Sequence, residues 1–117
     1  MGKSTILTAA RFTVDEDQRA EFETAIAELT ARAEREAGTL MYRFYRGDAG
    51  QYSVIEEYED AAAVLAHQAA NEDLLARVDA CTDKIALDVH GPVGPVIREW
   101  ARRTRNVTLY EEPVLQS

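Results

Sequence analysis

The chain has few of the residues that build metal centres or disulfide frameworks. It contains one cysteine and two histidines in 117 residues, so Cys81 has no partner for an internal disulfide and no close spacing of zinc or iron ligands is present. No apolar run approaches the roughly 20 residues that a transmembrane helix needs. The first residues also lack the long apolar core of a secretory signal. We therefore expect a cytoplasmic protein without a zinc or iron site and without a membrane span.

Positive charge is also scarce. The chain has 13 Lys and Arg residues against 21 Asp and Glu residues, for a formal net charge of −8. Most of the surface would repel a phosphate-rich partner, so nucleic acid is not expected as a ligand. The basic stretch at 98–105 predicts a solvated helix face or a contact with an acidic protein in preference to an anion site.

The length of the chain sets the number of domains. At 117 residues with 46% hydrophobic content, it is large enough for one core but too short for a separate cofactor domain. We predict a single domain over residues 1–117, with a core at 3–90 and a C-terminal extension at 91–117.

The first half of the chain predicts a strand, a helix and a hairpin. Residues 3–12 are rich in β-branched and apolar types, which favours a strand. Asp15, with Gln18 in the capping-box position, predicts the start of a helix that Gly38 ends. The aromatic runs at 40–46 and 51–58 flank "GDAG", which is typical of a hairpin.

The second half predicts a helix, a strand and an extension. Asp60 can cap the second helix, and 84–91 alternates as a strand with Val89 and His90 on opposite faces. Pro95 suits the first turn of a further helix, and "NVTLY" can form a last strand.

The predicted order is β-α-β-β-α-β, which is the ferredoxin-like split β-α-β arrangement of an α+β domain with an antiparallel sheet. Helices then cover one face of the sheet only, yet both faces carry apolar or aromatic side chains. The second face is most simply buried against another copy of the chain. We therefore expect a homodimer.

His67 is the residue with the most chemical interest. On a helical wheel it lies at the edge of the apolar stripe of the second helix, which also contains Val64 and Leu65. It can be a half-buried spacer whose ring nitrogens bind the backbone, or it can project with sheet tyrosines into a ligand pocket between helix and sheet. The spacing alone leaves both readings open.

The segments "EAGTLMYRFYRG" and "YSVIEEYEDAAAVLAHQAANEDLLARV" resemble the antibiotic biosynthesis monooxygenase superfamily. The shared pattern is a helix ending in a Gly-containing turn, a strand beginning Leu-x-Tyr, a strand ending Glu-x-aromatic, and a capped helix followed by a histidine. The resemblance covers residues 3 to about 90. It implies a dimeric α/β barrel with one pocket per subunit, small aromatic or quinol-like substrates and, in many members, oxygenation without metal or flavin.

The resemblance also suggests roles for individual residues. Glu56 matches the glutamate at the strand end, Tyr58 stands where many members have tryptophan, and His67 matches a pocket position. The haem-degrading branch has a tryptophan at the place of His67 and a haem-ligating histidine about ten residues later. Arg77 occupies that later place here, so haem is not expected.

These points together predict a cofactor-independent monooxygenase that acts on a small aromatic, quinol or polyketide-like substrate with dioxygen. His67, Tyr58 and Tyr42 are the expected catalytic residues, although His90 could replace His67 as the base. The other expected ligand contacts are Glu56, Phe44, His90, Leu74 and Trp100. Two alternatives stay open: a cofactor-free isomerase or cyclase of a carbonyl or polyketide compound, and a non-catalytic ligand-binding dimer.

Overall fold

The computed structural model describes residues 4–115. Their five strands and four α-helices occur in the order β1 (Ile6–Val14), α1 (Arg19–Ala33), β2 (Thr39–Arg46), β3 (Gln51–Tyr58), α2 (Ala61–Ala70), α3 (Glu72–Cys81), β4 (Thr82–His90), α4 (Gly94–Arg102) and β5 (Val107–Tyr110). Within these residues no helix combines the length and the apolar content that crossing a membrane requires.

The strands form one open sheet with the order β2-β3-β1-β4-β5. Neighbouring strands are antiparallel except for β4 and β5, which are parallel. The ferredoxin-like prediction is therefore confirmed for the first four strands, but the sheet as a whole is mixed. The physical reason is that α4 carries the chain back along the sheet between β4 and β5, and such a crossover produces parallel pairing.

The two faces of the sheet differ in their cover. Along β1 the buried side chains are every second residue from Ile6 to Val14, while Leu7 and Arg11 between them are exposed. This is the period of two that a half-covered strand shows. We call the side packed under the helices the covered face and the other side the open face.

Two hydrophobic clusters lie on the covered face. The larger is built around Phe22 of α1, whose ring is fully buried and contacts the rings of Phe12, Phe44 and Tyr52. The smaller consists of Ile6, Tyr58, Val89, Val93 and Ile97, with Trp100 packed against it. The C-terminal extension therefore completes the second cluster, because α4 supplies Ile97 and Trp100.

The start and end of α1 differ from the sequence prediction. Asp15 precedes a short 3-10 turn, Glu16–Gln18, and its side chain makes no capping hydrogen bond. The α-helix begins at Arg19 and ends at Ala33, before Gly38. The structure assigns Gly38 another role, since a Cβ there would lie 2.5 Å from the Cβ of Ala63. Glycine at this position lets α2 approach the loop that follows α1.

The predicted second helix is two helices. Asp60 caps α2 as expected, because its carboxylate accepts a hydrogen bond of 2.9 Å from the backbone N–H of Ala63. At Asn71 the backbone leaves the helical region, with φ −116° and ψ 20°, and α3 begins at Glu72. Within α2, His67 is buried, while Leu65 is 40% exposed.

Candidate active site

His67 lies between α2 and the covered face of the sheet. It is only 2% exposed, and its ring centroid is 4.9 Å from that of Tyr42 on β2 and 5.5 Å from that of Tyr58 on β3. Both tyrosines are buried on the same face of neighbouring strands. Sequence analysis placed these three residues in one site, and the structure brings their rings into contact.

A carboxylate holds one nitrogen of the imidazole. Nδ1 of His67 is 2.7 Å from Oε1 of Glu36, a residue in the loop between α1 and β2. The same carboxylate accepts hydrogen bonds from the Asn71 amide at 2.7 Å and the Thr39 hydroxyl at 2.8 Å. Burial alone would disfavour the charged form of Glu36, but the hydrogen bonds from Asn71, His67 and Thr39 outweigh it and lower the pKa of this carboxyl. Glu36 is therefore ionised at neutral pH.

The other imidazole nitrogen has no partner. Nε2 of His67 is buried and makes no hydrogen bond within residues 4–115. A buried polar atom left unsatisfied costs about 1–3 kcal/mol, so such an atom in a native structure calls for an explanation. A nitrogen lone pair that must accept a proton from a bound molecule is one explanation, because a permanent hydrogen bond would block it.

A second carboxyl faces the same cluster from the sheet. Tyr58 donates a hydrogen bond to Glu56, which lies directly opposite Tyr42 on the neighbouring strand. Removal of its carboxyl from water raises the pKa of Glu56, although the hydrogen bond from Tyr58 and the nearby His67 oppose this effect. The two carboxyls therefore differ, since Glu36 favours the charged form more strongly than Glu56 does.

The two tyrosines also differ in what their hydroxyls do. Burial, followed by the charge of Glu56, raises the pKa of both phenols, so both stay protonated at neutral pH. The Tyr58 hydroxyl is engaged by Glu56, whereas the Tyr42 hydroxyl has no hydrogen-bond partner among the residues that the structure describes. Tyr42 therefore has a free donor and Tyr58 does not.

A groove of about 550 Å³ runs between α1 and the edge strand β2. Ile26, Ala27 and Thr30 line it on the helix side, and Tyr42 and Phe44 line it on the strand side. Its charged lining residues are Glu23, Arg43 and Arg46. His67 is not among its lining residues. Tyr42 belongs both to the groove and to the His67 cluster, so its ring separates the two.

Phe44, Leu74 and Trp100 were also predicted to contact the ligand, and the structure packs them against different parts of the core. Phe44 packs edge-on against Tyr42, with ring centroids 5.6 Å apart, and Leu74 is buried in the same hydrophobic cluster as Tyr42. Trp100 packs against the smaller cluster, which contains Tyr58. These three surround the site and do not contact the imidazole of His67 through any ring interaction or hydrogen bond.

His90 is not brought to the site. It lies on the open face, where Nδ1 is 3.0 Å from the carbonyl oxygen of Leu7 and the ring stacks on Tyr110. The reason is the alternation of β4, in which Val89 is buried under the helices and the next residue must point away. A ligand beside His67 cannot touch this second histidine.

Sequence reasoning missed Glu36 and Asn71. Glu36 stands in an acidic stretch that looks like the solvated end of a helix, and nothing local sets it apart. Asn71 carries a weak signal, because it interrupts the apolar pattern of the second helix and asparagine favours helix ends over interiors. Within residues 4–115 no group of three His, Cys, Asp or Glu side chains is arranged to hold a metal ion.

Comparisons with known proteins show which family the chain matches. The profile of the family described as "Antibiotic biosynthesis monooxygenase" matches residues 5–76. That range contains the Glu36, Tyr42, Glu56, Tyr58 and His67 cluster. No curated protein matches the chain.

Several solved structures share the fold. MupZ from Pseudomonas fluorescens is 22% identical, with a TM-score of 0.82 over 97% of this chain and 93% of its own. Rv0793 from Mycobacterium tuberculosis is 22% identical, with a TM-score of 0.69 over 79% and 98% of the two chains. SnoaB from Streptomyces nogalater, a cofactor-independent oxygenase, is 22% identical, with a TM-score of 0.64 over 74% and 90%.

The three likenesses differ in extent. The match with MupZ covers 97% of this chain and so includes most of the C-terminal extension, which therefore has a counterpart in that fold. At these identities the structural likenesses establish the architecture, and the profile match over more than half of the sequence establishes the kinship. The chain belongs to the antibiotic biosynthesis monooxygenase family.

Proposed function

We propose that the protein is a cofactor-independent monooxygenase of a small phenolic, quinol or polyketide-like compound, with His67 as the general base. The observation that carries the proposal is the buried Nε2 of His67, which has no partner in the described structure while Nδ1 is held by Glu36. Imidazole takes up and releases a proton near neutral pH, which suits it to this task. Membership of the family supports oxygenation as the reaction.

The proposed reaction needs only a base, a dry site and dioxygen. His67 removes a proton from the substrate, and the electron pair of the broken bond stays on the resulting anion. The anion passes one electron to dioxygen, and the two radicals combine to a peroxide anion, which takes the proton back from His67 and becomes a hydroperoxide. The hydroperoxide then loses water, so one oxygen atom stays in the product and the other leaves with two hydrogens from the substrate.

Tyr42 is suited to stabilise the anion. Its hydroxyl is protonated, lies beside His67 and has a free donor within the described residues. A hydrogen bond aimed at developing negative charge in a site shielded from water is among the strongest contributions to catalysis. Tyr58 acts through Glu56, since its proton is already engaged.

The charges around the cluster favour a neutral substrate. The charged groups that influence Tyr42 are Glu56 and Glu36, which are both acidic. A carboxylate or phosphate at the end of the substrate that reaches His67 would meet these groups at short range and be repelled. A neutral phenol, quinol or enol that becomes anionic only when His67 takes its proton avoids this cost. The proposed binding place is the mainly apolar groove beside Tyr42, whose volume is in the range of small-molecule sites. Because the Tyr42 ring separates this groove from His67, the proposal requires the ring to turn aside when the substrate binds.

We also propose that the protein is a homodimer, in which a second copy covers the open face of the sheet. The open face exposes Leu7, Tyr45 and Tyr110, which are 37%, 52% and 53% exposed. Apolar residues grouped on one face of a sheet mark an interaction surface more often than a free one. A second copy packed against this face would bury them and join two open sheets into a barrel.

The test is oxygen uptake with an anthrone and a substituted hydroquinone as probes. We expect the wild-type protein to consume oxygen and, under ¹⁸O₂, to place one labelled atom in the product. The His67→Ala variant should lose this turnover. Equal turnover with and without oxygen would reject the monooxygenase, and binding of the probes without any turnover would favour a non-catalytic ligand-binding protein.

Glu56 favours one alternative reaction. A carboxyl whose pKa is raised can hold a proton close to a histidine base, and a base paired with an acid is what an isomerase or cyclase of a carbonyl compound requires. The same base would remove a proton at one atom while Glu56 returns one at another. Exchange of substrate hydrogen for deuterium in anaerobic D₂O would identify this reaction.

A further inference from the structure

The most completely bonded side chain of the site is one that sequence analysis did not select. Both oxygens of Glu36 are occupied, because Oε1 accepts from Thr39 and contacts Nδ1 of His67, and Oε2 accepts from Asn71. Three donors that come from β2, α2 and the break between α2 and α3 thus converge on one carboxylate. These three contacts hold the carboxylate in one position and one orientation.

This geometry determines which nitrogen of His67 carries the proton. An ionised carboxylate can only accept hydrogen bonds, so the nitrogen facing it must carry N–H. The Asn71 amide nitrogen lies 3.2 Å from Nδ1, but its two hydrogens are donated to Glu36 and to the backbone carbonyl of His67. It therefore has no hydrogen left to donate to Nδ1, which agrees with a proton on that nitrogen. The lone pair of the neutral ring is therefore on Nε2, the buried nitrogen without a partner.

We propose that Glu36 is the positioning residue of His67: it selects the Nδ1–H tautomer, aims Nε2 at the substrate and stabilises the imidazolium that forms. This inference rests on the proposed role of His67 as base. The observation behind it is the asymmetry of the ring, in which Nδ1 is held by a carboxylate and Nε2 is buried without a partner in the described structure.

The proton balance of the step is simple. The substrate O–H or C–H bond breaks, its proton moves to Nε2, and its electron pair stays on the substrate. The imidazolium is then flanked by Glu36 from the α1–β2 loop, Glu56 and Tyr58 from β3, and Tyr42 from β2. Glu36 keeps its charge throughout, because it acts by orientation and electrostatic stabilisation and does not take the proton.

The experiment compares Glu36→Gln with Glu34→Gln, a charge-matched control at an exposed position of the same loop. The readout is ¹⁵N NMR of the histidine rings, which distinguishes the two tautomers. The chain has only two histidines, so His90, whose Nδ1 faces the carbonyl of Leu7, serves as an internal reference. We expect His67 to be the Nδ1–H tautomer in the wild type and in Glu34→Gln, and to gain Nε2–H character in Glu36→Gln.

Kinetics with the anthrone probe supply the second readout. We expect Glu36→Gln to lower kcat on the order of 10²-fold, with KM changed by less than about threefold, since positioning acts on the proton transfer more than on binding. Glu36→Asp keeps the carboxylate and should recover part of kcat. Glu34→Gln should behave as the wild type.

The outcomes separate this proposal from the proposed function. An Nε2–H tautomer in the wild type, or an unchanged tautomer in a folded Glu36→Gln variant, would overturn the role of Glu36 whatever the activity. If the tautomer changes as expected but the wild type turns over no probe, Glu36 does position His67 and the proposed oxygenase activity fails instead. If Glu36→Gln does not fold, the tautomers of the wild type and Glu36→Asp decide the question.

Discussion

The two faces of the sheet each hold one histidine, and the two residues have very different surroundings. On the covered face, His67 is almost fully buried, packed between two tyrosines and held by a carboxylate. On the open face, His90 retains exposed surface, binds a backbone carbonyl and stacks on Tyr110. Both rings use Nδ1 for a hydrogen bond, so the number of bonds does not distinguish them.

The difference lies in what each Nδ1 partner does to the ring. A carboxylate fixes the tautomer and stabilises the protonated ring, whereas a backbone carbonyl fixes the tautomer without adding a full charge. Burial adds a second difference, because Nε2 of His67 is buried and without a hydrogen bond in the described structure, whereas His90 retains exposed surface. These differences favour His67 over His90 as the proposed base.

The largest expected effect comes from removing each histidine in turn. His67→Ala should lower kcat about 10²–10⁴-fold, which is the usual contribution of a general base. His90→Ala should stay within about threefold of the wild type, because it lies on the other side of the sheet. Oxygen uptake with the anthrone probe measures both. A large loss in His90→Ala with an active His67→Ala would reverse the assignment.

The second effect is a loss of stability when α2 can no longer pack closely against the loop that carries Glu36. Gly38→Ala would place a Cβ 2.5 Å from that of Ala63, so α2 must shift and the domain should lose about 1–3 kcal/mol of unfolding free energy. Gly47→Ala is the matched control, since its nearest atoms are 3.7 Å away and the contact is ordinary. Denaturation in urea measures both variants. Equal stabilities of the two would contradict the close approach.

The third effect tests the proposed partner of the open face. Leu7→Lys places a charge on that face, whereas Leu65→Lys places one at a similarly exposed leucine of α2. If two copies meet across the open face, Leu7→Lys should weaken the dimer by at least about tenfold, or about 1.4 kcal/mol. Light scattering at low micromolar concentration gives the mass. A wild-type protein at the 13.0 kDa of one chain would exclude the dimer.

The smallest effect is the dependence of stability on pH through Glu36. Its pKa in the folded protein is lowered from the ordinary 4.5, so its stabilising contribution is complete above that value and disappears as the pH falls through the lowered pKa. The difference in melting temperature between the wild type and Glu36→Gln should therefore shrink on acidification below pH 4.5. Glu34→Gln corrects for the loss of one negative charge. If the difference in melting temperature stays constant down to the acid transition, the pKa of Glu36 is not lowered in the folded protein.

Much of the fold was predictable because its signals are local. The alternation of Tyr42 and Phe44 with their neighbours, the turn sequence "GDAG" and the cap at Asp60 each act over a few residues. The structure has β2, β3 and α2 where these patterns indicate. The same alternation already separated Val89 from His90, although it could not say which of the two would be covered.

The site was predictable only in part, since its members come from distant positions. Tyr42, Tyr58 and His67 stood out by residue type and by family resemblance, and the structure brings them together. Glu36 contacts His67, which is 31 positions later in the sequence, and it also contacts Asn71, which is 35 positions later. No pattern with a short period can report a contact of that length.

The sequence by itself thus determined where the strands, the hairpin and the helix cap occur, because period, turn chemistry and capping are properties of neighbouring residues. Only the tertiary structure decided that Glu36 holds His67, that His90 faces the open side and that β5 runs parallel to β4. These features depend on how α2 turns at Asn71, how closely it approaches Gly38 and where α4 packs. Packing between distant segments sets all three, and it selects one of the several arrangements that the local signals allow.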